Sequence, residues 1–360
     1  MPSLTLPDWP RAFFSEKEEP VANARIRSCP EDFQVDEELG FVPNGEGEHL
    51  LLHIRKRNRN TDQVARQLAR YTGVRTRDVG YGGLKDRVAV TTQWFSVWLP
   101  GKADPDWSTF EDSDLQLLEQ VRHHRKLQRG ALQGNRFNIV LREVSGDREP
   151  IESRLGLIKQ HGVPNYFGEQ RFGRDGGNLD AAEAMFSGHK IKDRHLRSLY
   201  LSSARSFLFN KVLAARVQAG SWDKILPGEV VMLSGSRSFF PVETVDAEIT
   251  ARLASGDIHP SGPLWGRGEL ATHGEAGYLE REIMAEHPLF CEGLERAGLK
   301  QERRALRLLV NDLHWQWLDD TSLQTSGEVN NGPVLRLEFS LPPGAFGTAL
   351  LREVSNYHQV

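Results

Sequence analysis

Tyr81-Gly82-Gly83-Leu84-Lys85-Asp86-Arg87 runs straight into Val88-Ala89-Val90-Thr91-Thr92-Gln93-Trp94-Phe95-Ser96-Val97-Trp98-Leu99, and Pro100 stops it. A glycine-containing loop is thus joined to a long β-rich run. The paired glycines allow a sharp turn ahead of Lys85-Asp86-Arg87. The β-branched and aromatic residues that follow predict a strand.

Working outward, Phe33, Val35 and Glu37 alternate with Gln34, Asp36 and Glu38, which predicts a strand after Pro30. Leu50, Leu52 and Ile54 share one face of 49–55, a second strand. Thr61 is placed to cap a helix over 62–71, with Val64, Leu68 and Tyr71 as its apolar stripe and Gly73 just past its end. Residues 137–141 predict another strand and 149–160 a helix.

From about Asn165 the texture changes. Residues 196–218, 246–253 and 277–285 predict helices, with glycine-rich loops such as 259–268 between them. The β pattern returns with Leu306, Leu308 and Val310, then Leu335, Leu337, Phe339 and Leu341. Asn330-Asn331-Gly332 between these two runs is a hairpin-turn signal. Sheet, helix-rich middle, sheet: the pattern is α+β with a largely antiparallel sheet.

The chain has 360 residues, which sets a prior of two domains or one with a large insertion. A composition of 39% hydrophobic and 26% charged residues is that of a globular protein. No apolar run approaches the roughly 18 residues of a membrane span. The first residues lack a basic segment followed by an apolar one, so a cytoplasmic location is expected. Two cysteines exclude a disulfide framework and a four-thiolate metal site.

The net charge of −4 conceals an asymmetry. Residues 51–90 carry ten Lys/Arg against Asp62, Asp78 and Asp86, a local +7 that leaves −11 elsewhere. A second basic cluster is Arg122, His123, His124, Arg125, Lys126 and Arg129. Such stretches either steer a polyanion or are solvated surface.

There is no P-loop, no dinucleotide-binding glycine pattern after a strand, no H-E-x-x-H, no C-x-x-C and no G-x-S-x-G. Neither a metal nor a cofactor is expected. Asp86 remains. Aspartate is ionised at neutral pH, and flanking cations such as Lys85 and Arg87 favour the charged form. It can act as a nucleophile or electrostatic stabiliser at an anomeric carbon, or simply cap a turn.

Five stretches, in order, resemble motifs of the TruD family of pseudouridine synthases. They are Arg27 with Pro30-Glu31-Asp32-Phe33; Gly83–Trp94; the group Arg125-Lys126-Leu127, Gly130-Ala131-Leu132 and Gly134-Asn135-Arg136-Phe137; Val163–Gly173; and Leu341–Phe346 with Leu351-Arg352-Glu353. The resemblance runs from Arg27 to Glu353 and is thinnest over 220–301. Family members often carry Lys where Arg27 stands and His where Val88 stands.

The resemblance implies a pseudouridine-synthase core of mixed, largely antiparallel sheet with flanking helices, over 1–165 and 316–360. A TruD-specific α/β insertion domain over 166–315 interrupts it. The implied reaction isomerises a uridine of tRNA, the family's usual target being position 13, without a cofactor. The implied partner is tRNA, with no membrane, no obligatory protein partner and a monomer by default.

Asp86 is then the essential carboxylate, which can add to the ring, attack C1′ or take a ribose proton. Arg27 is its partner. Phe137 is the first candidate for a ring against the uracil, followed by Phe33 and Phe346. Asn135 reads the uracil edge or positions Asp86; Lys85 meets a phosphate or Asp86. Arg55, Lys56, Arg57, Arg59, Arg125, Lys126 and Arg129 are candidates for phosphate contact. Two other readings stay open: an RNA binder without catalysis on the same scaffold, and a small-molecule hydrolase with an aspartate nucleophile. The Lys85-Asp86 motif argues against the first and the basic clusters against the second.

Overall fold

The computed structural model describes residues 7–13, 22–128, 130–318 and 332–359. Arg129 and most of the expected hairpin turn at 330–332 lie outside them. The chain forms two compact units. One comprises Val21–Ile151, Val310–Gly344 and Ser355–Val360; the other comprises Glu152–Leu309 and Ala345–Val354, with Met1–Pro20. These bounds differ from an insertion over 166–315: the helix Arg148–His161 straddles the division, and Phe346 falls in the second unit.

The first unit is built on one ten-stranded sheet. Its first seven strands are β1 (Asn23–Ile26), β2 (Phe33–Leu39), β3 (His49–Arg57), β4 (Val79–Tyr81), β5 (Val90–Trp98), β6 (Leu115–His123) and β7 (Leu132–Ser145). Across the sheet the order is Asn311–Leu318, Val334–Leu341, β7, β2, β5, β3, β6; β4 pairs with β5, and β1 with β7 and with Asn356–Gln359. Only β2–β5 and β1 with Asn356–Gln359 run parallel among the described pairs.

The sequence pattern explains the layers. Leu50, Leu52 and Ile54 of β3 are fully buried with Phe95 and Val97 of β5. Against them packs α1 (Thr61–Thr72), through Val64, Ala65, Leu68 and Ala69. Each fully buried leucine of this kind contributes about 1.5–3 kcal/mol. Leu51 faces the other way and is equally buried, against Trp94 and Leu127, so β3 is a covered strand on both faces. Gly73 ends α1 with φ 66°, its N–H donating to the Ala69 and Arg70 carbonyls.

Asn60, not Thr61, is the N-cap residue of α1. The Thr61 hydroxyl is directed instead to the loop before β5, described below. Leu115–His123 and Val79–Tyr81 are strands with no expectation in the pattern, the first because charged and polar residues break its alternation, the second because three residues are too few to show one.

A buried ion pair fixes the register of β2 against β7. Arg142 of β7 donates from Nε and Nη2 to the carboxylate of Asp32, at 2.8 and 2.7 Å, in the turn that starts β2. Both side chains are almost fully buried.

In the second unit, a 25-residue helix Arg194–Gln218 is capped by Asp193, whose side chain accepts from the His195 and Leu196 N–H groups. Phe207, Leu208, Phe209, Val212 and Leu213 put its apolar face in the core. A four-stranded antiparallel sheet runs Phe239–Pro241, Val230–Leu233, Ile258–Leu264, Glu302–Ala305. Residues 258–264 thus form a strand where a glycine-rich loop was expected. Gly262 marks a close approach: a Cβ there would lie 2.9 Å from Leu306 and 3.1 Å from Phe209. Among the described residues no helix is long and apolar enough to cross a membrane.

Replacing Arg142 with Leu strands Asp32 as a buried, unpaired charge. Such a change costs about 3–5 kcal/mol, whereas replacing both partners with apolar residues costs much less. Guanidinium unfolding of Arg142→Leu and of the Asp32→Leu/Arg142→Leu pair checks this; equal losses in both would contradict it.

Candidate active site

Three neighbouring strands set one row of side chains on a common face. β2 and β7 place Val35 opposite Phe137 and Glu37 opposite Asn135. The strand Val334–Leu341 places Phe339 opposite Phe137 and Leu341 opposite Asn135. With a side-chain period of two, Phe33, Glu37, Asn135, Phe137 and Phe339 all emerge on the same side. The Phe137 and Phe339 rings stack at 5.0 Å, and Phe33 meets Phe137 edge-to-face at 6.4 Å.

Arg27 follows β1 and crosses this aromatic group. Its guanidinium lies 4.1 Å from the Phe33 ring centroid. Its Nη2 donates to Asp86 Oδ2 at 2.7 Å. The Arg27 side chain is buried, while Asp86 remains 38% exposed, so one end of the pair is fixed and the other faces solvent. Arg27 has φ 58°, a left-handed backbone uncommon for a residue with a side chain. Such strain costs of order 1–3 kcal/mol and gathers at functional sites.

The loop that carries Asp86 is fastened from beneath by four side chains. Thr61 Oγ1 donates to Gln93 Oε1 at 2.9 Å and accepts from the Lys85 N–H at 3.0 Å. Gln93 Nε2 donates to the Gly83 carbonyl at 2.6 Å. Lys85 Nζ turns inward, to Glu37 Oε1 at 2.9 Å and Asn135 Oδ1 at 2.5 Å. Lys56 Nζ donates to the carbonyls of Arg59 (2.6 Å) and Asp86 (3.2 Å).

Burial dominates the electrostatics. It pushes the Glu37 carboxyl above the usual carboxylate range, against the pull of the Lys85 ammonium and the Trp94 N–H. It also lowers Lys56 to about 8, opposed by Asp86. Among the described residues, no group of three or more His, Cys, Asp or Glu is placed to hold a metal ion.

The family model for tRNA pseudouridine synthase D (TruD) matches residues 13–186 and 178–354. The chain belongs to the TruD family. It is 54% identical to tRNA pseudouridine synthase D of Nitrosococcus oceani over 337 residues, 93% of this chain and 91% of the relative. It is 50% identical to the protein of that name in Methylococcus capsulatus, over 94% of this chain and 93% of that one. A crystal structure from Methanosarcina mazei, described as a TruD protein, shares the fold with a TM-score of 0.69 at 23% identity, covering 94% of both chains.

On this TruD-family scaffold the expected site residues separate into two groups. Arg27, Phe33, Lys85, Asp86, Asn135 and Phe137 come together in the sheet unit. Phe346 lies in the other unit, its ring 6.5 Å from that of Phe167. Lys85 reaches neither solvent phosphate nor the Asp86 carboxylate, because Glu37 and Asn135 occupy it. Phe33, Phe137 and Phe339 are buried at 2%, 6% and 1% exposure, so Phe137 is the least buried of the three.

The phosphate candidates also divide. Lys56 is fully buried, which removes it from any surface that a phosphate can reach. Arg57 is paired with Glu31 at 2.6 Å and Asp114 at 3.5 Å, and Arg59 with Asp112 at 2.7 Å. Arg55 and Arg125 are exposed, and Lys126 is half-buried. Gly82 and Gly83 do not take positive φ. Gly82 is there for space, since a Cβ would lie 2.7 Å from the Leu132 side chain.

Sequence reasoning missed Glu37, Thr61, Gln93 and Phe339 as site residues. Glu37 did carry a signal: a carboxylate in the apolar phase of an alternating strand needs a buried partner.

Lys56 supplies a pH test. The unfolded chain keeps its proton up to the ordinary value of 10.5, the folded protein only to about 8. Between these values the unfolded state binds more protons, so this group makes stability rise with pH across that window. Relative to Lys56→Met, the wild type gains up to about 3 kcal/mol between pH 8 and 10.5. Urea unfolding of both proteins across that range measures it; parallel profiles would refute it.

Proposed function

We propose that this chain converts uridine to pseudouridine in tRNA, at position 13, with Asp86 as the essential carboxylate. The observation that carries this reading is the Arg27–Asp86 pair, seated on the Phe33–Phe137–Phe339 group in a TruD-family chain. Arg27 holds the carboxylate in one orientation by a charge-assisted hydrogen bond. The exposed side of Asp86 is left for substrate. We read the helix-rich unit as the family's insertion and the cytoplasm, where tRNA resides, as the place of action.

The reaction is an isomerisation. The N1–C1′ bond breaks, the uracil turns within the pocket and C5 joins C1′. The proton on C5 is lost and N1 gains one, so nothing is consumed. A base in folded tRNA must leave its stack, which costs a few kcal/mol. Stacking on a ring returns about 1–3 kcal/mol, and Phe137, the least buried ring of the group, is the one nearest that role. Asn135 spends its carbonyl on Lys85, which leaves its amide N–H groups to donate to a uracil carbonyl.

Pseudouridine mapping on unmodified tRNA transcripts, with no metal or nucleotide added, tests the reading. Wild type is expected to form pseudouridine at position 13, and Asp86→Asn to lose at least about 10³-fold in rate. Binding of a full tRNA set without any pseudouridine would leave an RNA binder instead. Phe137→Ala is expected to lower kcat/KM about 10- to 100-fold, the equivalent of one stacking contact; an unchanged kcat/KM would remove Phe137 from the substrate.

A further inference from the structure

The basic residues of 51–90 are not equivalent once folded. Lys56 and Lys85 are internal, and Arg57 and Arg59 are matched by acids. Arg66 and Arg77 are exposed and differ from these. No described side chain accepts a hydrogen bond from the Arg66 guanidinium, and Arg77 reaches only Asp78, at 4.0 Å. Both line one cavity of about 520 Å³ in the sheet unit, between α1, the turn Thr76–Asp78, β4 and residues 126–128. Lys126 adds a third cation to its wall, anchored by its Nζ to the Arg77 carbonyl at 2.6 Å.

The cavity is a built feature. Its one acid, Asp62, already accepts from the Tyr81 hydroxyl at 2.6 Å. Gly80 lets β4 close against the 126–128 segment, because a Cβ there would lie 2.5 Å from the Leu127 carbonyl oxygen. The cavity is open to solvent, a groove rather than an enclosed pocket. Tyr81, in its wall, is the last residue of β4 and leads directly into the loop that ends at Asp86.

We propose that this cavity takes one nucleotide of the bound RNA other than the uridine being modified, with its phosphate held by Arg66 and Arg77 and Lys126 alongside. Planar guanidinium groups with unspent donors match phosphate oxygens in geometry and charge. The proposal rests on the RNA-modifying reading and gives that reading a second, separate point of contact.

Filter binding of a tRNA transcript to the full chain, between about 50 and 200 mM salt, is the test. Arg66→Ala/Arg77→Ala is expected to raise Kd about tenfold or more. It should also reduce the slope of log Kd against log salt by about two. Lys102→Glu, which changes net charge equally at an exposed site, should leave that slope as in wild type. Thr76→Trp fills the cavity without altering charge, and should raise Kd. Single-turnover rates at saturating protein should stay within about twofold for all three.

A wild-type slope in the double variant, or an unchanged Kd in Thr76→Trp, overturns the proposal. Thermal unfolding of each variant identifies one that has simply lost its fold; Arg66→Gln/Arg77→Gln, which removes both charges but keeps long polar side chains, then decides through the slope alone. Should wild type form no pseudouridine, the catalytic reading fails, while the binding slopes still judge this site.

Discussion

Lys85 and Glu37 meet at 2.9 Å with almost no solvent around either, and the Asn135 carbonyl closes the remaining side. A charge in such a place is tolerated only while its partner is present. The consequence is positional. Glu37 and Asn135 are register partners on adjacent strands, so the ammonium between them ties the Asp86 loop to the interior of the sheet. Asp86, one residue on, is thereby delivered beside Arg27. The loop has little regular structure of its own; its conformation is imposed by where Lys85 must go.

The neighbouring contacts extend that constraint. Lys56 holds the Asp86 carbonyl, Gln93 holds the Gly83 carbonyl and Thr61 holds the Lys85 amide. Each spends a buried polar group on the loop backbone, which leaves the Asp86 side chain the most exposed member of the assembly. Preorganisation of this kind fixes the geometry of the Asp86 carboxylate in advance of any ligand.

Much of this was readable before folding, and the residues that were not have a common cause. The strands that carry Phe33, Leu52 and Phe339, the helix from 61 to 72 and the association of Arg27 with Asp86 follow from periodicity and from motif resemblance. What the one-dimensional pattern lacks is the direction of a long polar side chain. Lys56 and Arg55 look alike in sequence, yet strand parity buries one and exposes the other. Arg57 and Arg66 look alike as well, yet acids on other segments neutralise only the first. The glycines at 82 and 262 resemble turn formers but serve close packing, a property set by Leu132 and Leu306, far along the chain. Thr61 looked like a cap because caps are local; its actual partners belong to β5 and the preceding loop.

The strand Val334–Leu341 has one more consequence, for the order of events during synthesis. β7 emerges from the ribosome long before the strand that pairs with its flank and supplies Phe339. Until then β7 presents a row of unpaired amide and carbonyl groups and a bare Phe137 ring. Such an edge invites pairing with another chain. The nascent protein therefore has a window in which the face around Phe137 is an adhesive surface, closed only when this late segment takes its place.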